Sequence, residues 1–554
     1  MRENLPFKIF VFLLFGIFPI NTIQAQSFIW ARNQTGVNNT YGNASAVDKN
    51  GNVYVTGHFF GATATFGNIS LTNITNSFAD FYIVKYDANG TVQWARSAGG
   101  MNTESGTGIC TDPQGNIIVS GWYLSPTINI GTTTLTNSAQ YLADIFIVKY
   151  DPSGTVIWAQ GMGGTADDKA LTIAADSKGN SYLSGNFKSP LINFGSIAVN
   201  NVNAGYEDIF LAKFSPAGQI LRAKNYGGFS PESIASIAID RNDNVYLGGS
   251  FSSAALDFGS GIISTNGNYD IFITKLDSTG VCLWTKSSGT AALDIGFGIA
   301  VDQSNNCFAT GYFKGATINF GSTTLTNSGI NSYDEFIVKY DASGKVLWAK
   351  NANCTKDDIG YSLAVDAAGN VFQVGSYNTA PITFGSITQS NRGNDDLFIT
   401  KYDASGNVLS VMTSGGVNND DALSIAVYQN SDLFITGSYN SISLPLGNDT
   451  LSNSNIFQMF VTRLRSNTLG MSGPLPNELC SIYPNPSNGI IHLTCNKYDG
   501  PQVQIFDMQG RLQDEFNATN LPHFEMDLSS YPPGIYMISL FDHGLKEYHR
   551  IQIL

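Results

Sequence analysis

One phrase, repeated along the chain at a nearly constant spacing, constrains the fold more than any other feature. Its clearest copy is Asp144-Ile-Phe-Ile-Val-Lys-Tyr-Asp-Pro-Ser-Gly-Thr-Val-Ile-Trp158, in which β-branched and aromatic residues flank a run of turn formers. Further copies begin every 62 or 64 residues, at Asp80, Asp208, Asp270, Asp334 and Asp396, with a weaker copy at Gln458. A fixed period of this size indicates one supersecondary unit that is repeated and stacked.

Each repeat predicts four short strands. In one repeat these are residues 171–176, 181–185, 208–214 and 219–224. Tight turns of the Asp/Ser-x-x-Gly type join the first strand to the second and the third to the fourth, whereas a long connection joins the second to the third. One such sheet is too small to be stable alone, and four-stranded sheets repeated radially form a β-propeller.

The number of strands predicts seven blades and a closure by the N-terminus. Second and third strands each occur seven times, but fourth strands occur six times, around Trp94, Trp158, Arg222, Trp284, Trp348 and Ser410. Trp30 lies 64 residues before Trp94, so residues 27–32 are expected to supply the missing outer strand of the last blade. A solenoid is the competing architecture, but it would require capping units. The prediction is an all-β, seven-bladed propeller of four-stranded antiparallel blades over residues 26–465.

The repeat also resembles a known family. Its phrasing, close to "IAVDxxGNVYVTG…DxFIVKYDxxG", resembles the seven-bladed β-propeller repeats of bacterial secreted proteins. The resemblance implies this fold and export from the cell, and it implies no single activity.

The regions outside the repeats have compositions of their own. Residues 1–25 begin with Arg2 and Lys8, continue into an apolar run and end on Ala25, which is typical of a cleaved signal peptide. A membrane anchor is the alternative, although the apolar run is too short to span a bilayer. Residues 466–478 have little pattern and are predicted to be a linker.

Residues 479–554 form a separate module with alternating strands and Gly/Pro turns, which predicts a small β-sandwich. Its motifs are Tyr483-Pro484-Asn485-Pro486, the turn that ends in Gly510-Arg511, and a later segment that includes Gly534 and Tyr536. In this order they resemble the C-terminal sorting domain of type IX secretion substrates. The resemblance implies that the type IX machinery is a partner and that the protein is secreted or held on the outer surface. The terminus departs from the family because Leu554 stands where a basic residue is often found.

Composition excludes several functions. The formal net charge of −14 argues against nucleic acid and anionic membranes as partners. The propeller contains one histidine, His58, and shows no metal-ligand cluster, phosphate loop or nucleophile motif, so no cofactor, metal or catalytic residue is predicted. Cys480 and Cys495 would lie opposite each other in a hairpin, which leaves a disulfide and two free thiols both open.

Comparison of the repeats with one another separates structural from functional candidates. Residues shared by every blade, such as the lysine of the third strand, are expected to be structural. Gly-Gly pairs between blades, such as Gly99-Gly100, are predicted to need unusual backbone angles. One position varies, the residue after the second-strand glycine, which is His58, Trp122, Asn186, Ser250, Tyr312, Ser376 or Ser438.

A nearly complete acidic series precedes the first strands. It consists of Glu104, Asp168, Glu232, Asp294, Asp358 and Asp420, with Thr40 as the exception. Blade topology places these acids on the same rim as the variable residues. One interpretation is that each acid accepts backbone N–H bonds and fixes a loop between blades. The other is a ring of negative potential that binds cations or a basic ligand, with His58, Trp122 and Tyr312 beside it.

The sequence favours a binding module, expected to be monomeric, that contacts a glycan or protein through this rim. An extracellular lyase or hydrolase and a passive structural protein of the cell envelope are the alternatives. Recurrence of the acids in nearly every blade argues against catalysis, because active sites break symmetry.

Overall fold

The repeats fold into four-stranded antiparallel sheets. In this computed structural model the described residues are 25–36, 38–329, 331–429, 432–468, 480–483, 487, 489–495, 502–507, 511–517, 523–542 and 545–553. The unit Gln26–Thr468 is separate from a unit that contains Leu469–Leu554. Nearly all of the predicted signal peptide, most of the predicted linker, and residues Pro484, Asn485, Pro486 and Gly510 lie outside the described residues.

Seven sheets with the same strand order fill the unit Gln26–Thr468. The first strands, which number the blades 1 to 7, are Thr40–Val47, Glu104–Thr111, Asp168–Ala175, Glu232–Ile239, Asp294–Val301, Asp358–Val365 and Asp420–Tyr428. The second strands are Val53–Phe59, Ile117–Tyr123, Ser181–Phe187, Val245–Phe251, Cys307–Phe313, Val371–Asn378 and Asp432–Tyr439. The third strands are Asp80–Tyr86, Asp144–Tyr150, Asp208–Phe214, Asp270–Leu276, Asp334–Tyr340, Asp395–Tyr402 and Gln458–Thr468. The fourth strands are Val92–Ala98, Val156–Met162, Ile220–Tyr226, Cys282–Ser288, Val346–Lys350, Val408–Ser414 and, for blade 7, Ala25–Asn33.

The blades are arranged around an axis. Each first strand lies beside the first strand of the next blade, and the first strand of blade 7 lies beside that of blade 1. The first strands are therefore the innermost, and each of their residues is buried or only partly exposed. These sheets confirm the prediction of an all-β propeller.

Every long connection between the second and third strands contains a small hairpin that the sequence analysis did not predict. The seven hairpins are Thr63–Phe66 with Ile69–Thr72, Thr127–Ile130 with Thr133–Thr136, Leu191–Phe194 with Ile197–Asn200, Leu256–Asp257 with Ile262–Ile263, Thr317–Phe320 with Thr323–Thr326, Ile382–Phe384 with Ile387–Gln389, and Ser443–Leu446 with Asp449–Ser452. The hairpin of blade 2 turns at Gly131, whose φ of 62° favours glycine. Its Ile128 and Leu135 are buried in the core between blades.

Apolar side chains fill the spaces between neighbouring sheets. Between blades 1 and 2, for example, Tyr54, Phe81 and Trp94 pack with Val119 and Phe146. Burial of such surfaces on both sides of each sheet supplies most of the stabilisation, since one blade alone has no second layer to cover it.

A polar contact repeated at five of the seven junctions links one blade to the next. Trp94 Nε1 and Lys85 Nζ of blade 1 both donate to the carbonyl of Pro152, in the tight turn of blade 2, at 3.1 and 3.0 Å. Across the junction of blades 7 and 1, Trp30 Nε1 and Arg463 Nη1 donate to the carbonyl of Ala88 at 2.9 and 2.6 Å. The shared tryptophan and third-strand cation therefore bridge blades, in agreement with a structural role for the repeated lysine.

The C-terminal unit contains two sheets around one core. A three-stranded sheet holds Cys480–Tyr483, Ile490–Cys495 and His523–Asp527, and a four-stranded sheet holds Leu512–Asn517, Gln502–Asp507, Gly534–Asp542 and Leu545–Ile553. Leu493, Val503 and Ile538 are among the fully buried residues. Cys480 and Cys495 are register partners on adjacent strands, as the hairpin predicts, and their side chains lie outside the described part.

Two motif residues of this unit have evident structural roles. Arg511 Nε donates to Asp507 Oδ2 at 2.7 Å, and the Arg511 backbone N–H donates to Asp507 Oδ1, so the motif closes a tight turn. Tyr536 Oη donates to the carbonyl of Pro532 at 2.8 Å. Pro532 lies two residues before Gly534, which begins the strand that contains Tyr536. Within the described residues no helix is long and apolar enough to cross a bilayer.

Candidate ligand-binding face

One face of the propeller brings together the starts of the first strands and the ends of the second strands. In blade 2, Glu104 opens the first strand and is the register partner of Tyr123, which ends the second strand and also pairs with Asp144. Trp122 pairs with Ser105 one step farther along. The predicted acids and the variable residues therefore do share a rim, but they occupy different depths in it.

The acidic series is buried and bonded to loops. Glu104 is fully buried, and its carboxylate accepts the N–H groups of Gly100 and Ser125 at 3.0 and 3.2 Å. In four other blades the carboxylate likewise accepts a backbone N–H of the preceding loop. The pairs are Gly164 with Asp168, Gly228 with Glu232, Thr290 with Asp294 and Gly416 with Asp420. Asp358 differs, because it accepts the N–H of Glu335 at 2.7 Å.

Burial also raises the pKa values of these acids. Desolvation raises the pKa of Glu104 to about 8, of Glu232 to about 7, and of Asp168 and Asp420 to about 6. It raises the pKa of Asp294 and, more strongly, that of Asp358. Within the described residues no three His, Cys, Asp or Glu side chains form a group that could hold a metal ion. The geometry favours loop fixation over a ring of exposed negative charge.

A second set of buried carboxylates explains the Gly-Gly pairs. Asp80 begins a third strand, and its Oδ2 accepts the N–H of Ile74 at 3.0 Å. A Cβ on Gly99 would lie 2.1 Å from the Asp80 carboxylate, and one on Gly100 would lie 2.4 Å from Ser125 Oγ. Neither glycine has a positive φ, so the prediction of unusual backbone angles was wrong. Close packing, and not backbone conformation, requires these glycines.

The variable position differs in size and exposure between blades. Asn186, Ser250, Ser376 and Ser438 are small and buried. Asn186 Oδ1 and Ser250 Oγ accept backbone N–H groups of the following blade, from Ile234 at 3.0 Å and Gly296 at 3.1 Å. His58, Trp122 and Tyr312 are larger and remain partly exposed. These three positions therefore break the symmetry of the rim.

His58 belongs to an aromatic stack at the junction of blades 7 and 1. Its ring stacks on Tyr41 at 4.8 Å, and Tyr41 stacks on Phe457 at 5.4 Å. Its Nδ1 lies 3.1 Å from Ser105 Oγ. Burial lowers the pKa of His58 to about 4, so the imidazole is neutral at physiological pH. This environment suits ring stacking better than acid–base chemistry.

Trp122 faces the next blade, where Lys169 Nζ lies 4.8 Å from the centre of its ring. This distance is within the range of a cation–π contact, which orients the indole. Its Nε1 donates to none of the described residues, so the indole offers both an apolar face and a donor to a ligand.

Tyr312 belongs to a second aromatic group, at the junction of blades 5 and 6. Its ring centre lies 4.6 Å from that of Tyr333 and 5.8 Å from that of Phe297, which in turn lies 5.5 Å from Tyr361. Burial raises the pKa of Tyr312 to about 12, so its hydroxyl stays protonated. Sequence reasoning missed Tyr41, Phe297 and Tyr361, although the first-strand positions they occupy also vary among the repeats.

Comparisons with known proteins complete these observations. Residues 481–553 match the family described as a secretion system C-terminal sorting domain. An uncharacterised WD repeat-containing protein, L264 of Acanthamoeba polyphaga mimivirus, is 25% identical over 503 residues, which covers 76% of this chain and 36% of that protein. The regulatory protein FlaEY of Caulobacter vibrioides is 27% identical over 167 residues, or 29% of this chain and 17% of that protein.

Among solved structures, Sqt1 from Chaetomium thermophilum is 11% identical, with 78% of this chain and 87% of that chain covered at a TM-score of 0.37. The chain covers less than two thirds of the length of both curated relatives. The fold assignment rests on the sheet order described above. The chain therefore carries a secretion-system C-terminal sorting domain after an all-β propeller region, and the protein is exported to the outer surface of the cell or beyond it.

Proposed function

We propose that the protein is an exported binding module that holds an extracellular glycan at the mouth of its channel. The observation that carries this proposal is the contrast between the two kinds of rim residue. Residues repeated in the blades are buried and bonded within the fold, whereas the positions that break the repeat present the partly exposed rings of His58, Trp122 and Tyr312.

The chemistry of this mouth suits a sugar. Sugar rings have an apolar C–H face, which aromatic rings can cover, and hydroxyls on their edge, which need hydrogen-bond partners. Trp122 supplies a ring face and a donor, Tyr312 supplies a ring and a hydroxyl, and Lys169 lies beside Trp122. A few polar groups among apolar walls are typical of ligand sites in general.

Hydrolysis or elimination has less support in this geometry. An acid–base mechanism needs a titratable group near pH 7 within reach of the substrate. Glu104 and Glu232 have suitably raised pKa values, but both are fully buried and hold loop N–H groups. His58 is neutral and stacked.

A glycan array probed with the exported protein tests the proposal. We expect binding to one group of glycans, weakened at least tenfold by Trp122→Ala and by Tyr312→Ala, since the loss of a buried ring contact costs about 1–3 kcal/mol. Leu347→Ala is the control, because Leu347 is an exposed apolar residue of an outer strand, Val346–Lys350, and not of the rim. Absence of glycan binding, or equal binding by all variants, would refute the proposal.

A further inference from the structure

One junction between blades lacks the tryptophan that fills the others. Six blades have a tight turn between their third and fourth strands, and at five of these turns the preceding blade contributes a tryptophan: Trp30, Trp94, Trp158, Trp284 and Trp348. At the junction of blades 3 and 4 the corresponding residue is Arg222, which lies over Gly280 as the indoles lie over their glycines. Arg222 therefore replaces the indole of the other junctions, and a cavity lined in part by Arg222 remains beside it.

The walls of the slot remain those of an indole site. At the junction of blades 4 and 5, Trp284 lies between Tyr246 and Tyr340, with ring centres 5.9 and 6.2 Å away. The residues that correspond at the junction of blades 3 and 4 are Tyr182 and Leu276. Both line a cavity of about 240 Å³, together with Leu211 and Val245. Because the slot has kept apolar walls without the ring they enclose elsewhere, it fits a planar aromatic group.

A backbone acceptor is also left without its donors. At the junction of blades 4 and 5 the carbonyl of Ala342 accepts Trp284 Nε1 at 3.1 Å and Lys275 Nζ at 3.5 Å. The equivalent carbonyl, of Ser278, accepts no hydrogen bond from the described residues. Lys213, the equivalent lysine, donates instead to Tyr182 Oη and lies 3.4 Å from Asp176. A ligand with a ring N–H would satisfy Ser278 as the indoles satisfy the other carbonyls.

Two cations give the slot a preference for an anion. Arg222 and Lys224 line the cavity, and neither forms an ion pair or hydrogen bond with a described residue. Lys224 Nζ lies 4.7 Å from the ring centre of Tyr226, which holds it at the cavity wall. Asp277 also lines the cavity and is attracted by Arg222, and its Oδ1 accepts the N–H groups of Thr279 and Val281 in its own turn, so the two cations outnumber this one carboxylate.

We propose that the slot between blades 3 and 4 binds an aromatic carboxylate of the indole class. Arg222 moves off Gly280, and the ring enters between Tyr182 and Leu276. The ring N–H then donates to the carbonyl of Ser278, and the carboxylate pairs with Arg222 and Lys224. This site lies between the third and fourth strands, away from the channel mouth, so it is independent of the proposed glycan face.

Calorimetry on the full chain tests this site, with indole-3-acetate as the probe. We expect saturable binding of one molecule, weakened at least tenfold when the probe is indole, which lacks the carboxylate, or 1-methylindole-3-acetate, which lacks the N–H. Arg222→Trp should abolish binding and raise the melting temperature, because it restores the residue of the other junctions. Arg222→Gln should leave the slot open and reduce the preference for the acid over indole, since Lys224 remains.

A reciprocal variant is the control for specificity. Trp158→Arg should weaken the junction of blades 2 and 3. It should not change the affinity of the slot between blades 3 and 4 for indole-3-acetate. Absence of binding at millimolar indole-3-acetate, or binding that Arg222→Trp leaves unchanged, would overturn the proposal.

Discussion

Single residues show most clearly where the symmetry of the propeller is broken in the core. Glu335 occupies a third-strand position that is apolar in the other blades, where Phe81, Ile145, Ile209, Ile271, Leu397 and Met459 stand. Its carboxylate accepts the N–H of Ala352 at 2.6 Å and a hydrogen bond from Gln373 Nε2. Gln373 also donates to Thr310 Oγ1 at 2.8 Å. This buried pair replaces an apolar contact, and comparison of the repeats would have revealed it.

The pair Glu335→Ile with Gln373→Val should increase stability. Buried polar pairs are often neutral or unfavourable relative to apolar residues of similar size, by about 1–4 kcal/mol. Burial raises the pKa of Glu335 to about 8 from 4.5, so its favourable contribution is complete below pH 4.5 and is lost as the pH rises through 8. The advantage of the double variant should therefore grow between pH 5 and 9, as measured by denaturant unfolding.

The single variant Gln373→Val is the matched control. It leaves Glu335 buried without its side-chain donor and should cost about 1–3 kcal/mol. A double variant that is less stable than this single variant, or a stability gain that does not depend on pH, would contradict the account.

At the scale of strands, the sequence predicted the blade well because the pattern has a clear physical origin. Alternating β-branched residues and Asp-x-x-Gly turns gave the four strands of each blade. The small hairpins were missed because strands as short as Thr127–Ile130 and Thr133–Thr136 have too few residues to show a period. The roles of Gly99 and of the aromatic partners depend on contacts between strands far apart in sequence, which one repeat does not reveal.

Exceptions among the blades indicate how the buried aspartates and glycines depend on each other. In blade 7, Thr35 stands in place of the first glycine of the Gly-Gly pair, and Gln458 stands in place of the aspartate that begins the third strand. Blade 5 keeps Asp334 but has Asn353 in the glycine position, and its fourth strand ends early, at Lys350. A fourth strand therefore reaches its full length beside the third-strand aspartate in the blades where a glycine follows that fourth strand.

Gly99→Ala should destabilise the protein by about 2–4 kcal/mol, because the new methyl would overlap the Asp80 carboxylate. Asp80→Ala alone should also cost stability, since it removes the acceptor for Ile74 N–H. In the double variant the overlap is relieved, so its cost should be clearly smaller than the sum of the two. Denaturant unfolding of the three variants measures this coupling, and additive costs would show that the contact does not matter.

At the scale of the whole molecule, the C-terminal unit carries the sorting domain and the propeller carries the proposed binding function. Truncation after Ser466 should leave a folded propeller in the periplasm. Residues 479–554, placed after a signal peptide and a reporter, should export that reporter in a strain with type IX machinery. A reporter that stays periplasmic would count against the assignment, with the non-basic Leu554 terminus as the first cause to examine.

The propeller itself depends on the pairing of its two ends. Trp30 is buried between Phe434 and Tyr86, and its carbonyl accepts Thr462 Oγ1 at 2.7 Å. Asn33 Nδ2 donates to Tyr439 Oη at 2.7 Å. Removal of residues 26–33 would expose the edge of the last blade and the core beneath it.

The thermal melting temperature of the protein without residues 26–33 tests the closed propeller most directly. We expect it to fall by many degrees, with aggregation on heating. Trp30→Ala should reproduce much of this loss, at about 3–5 kcal/mol, while Ile29→Ala, at a side chain that is 40% exposed, should change little. A melting temperature unchanged by removal of residues 26–33 would contradict a propeller closed by its N-terminal strand.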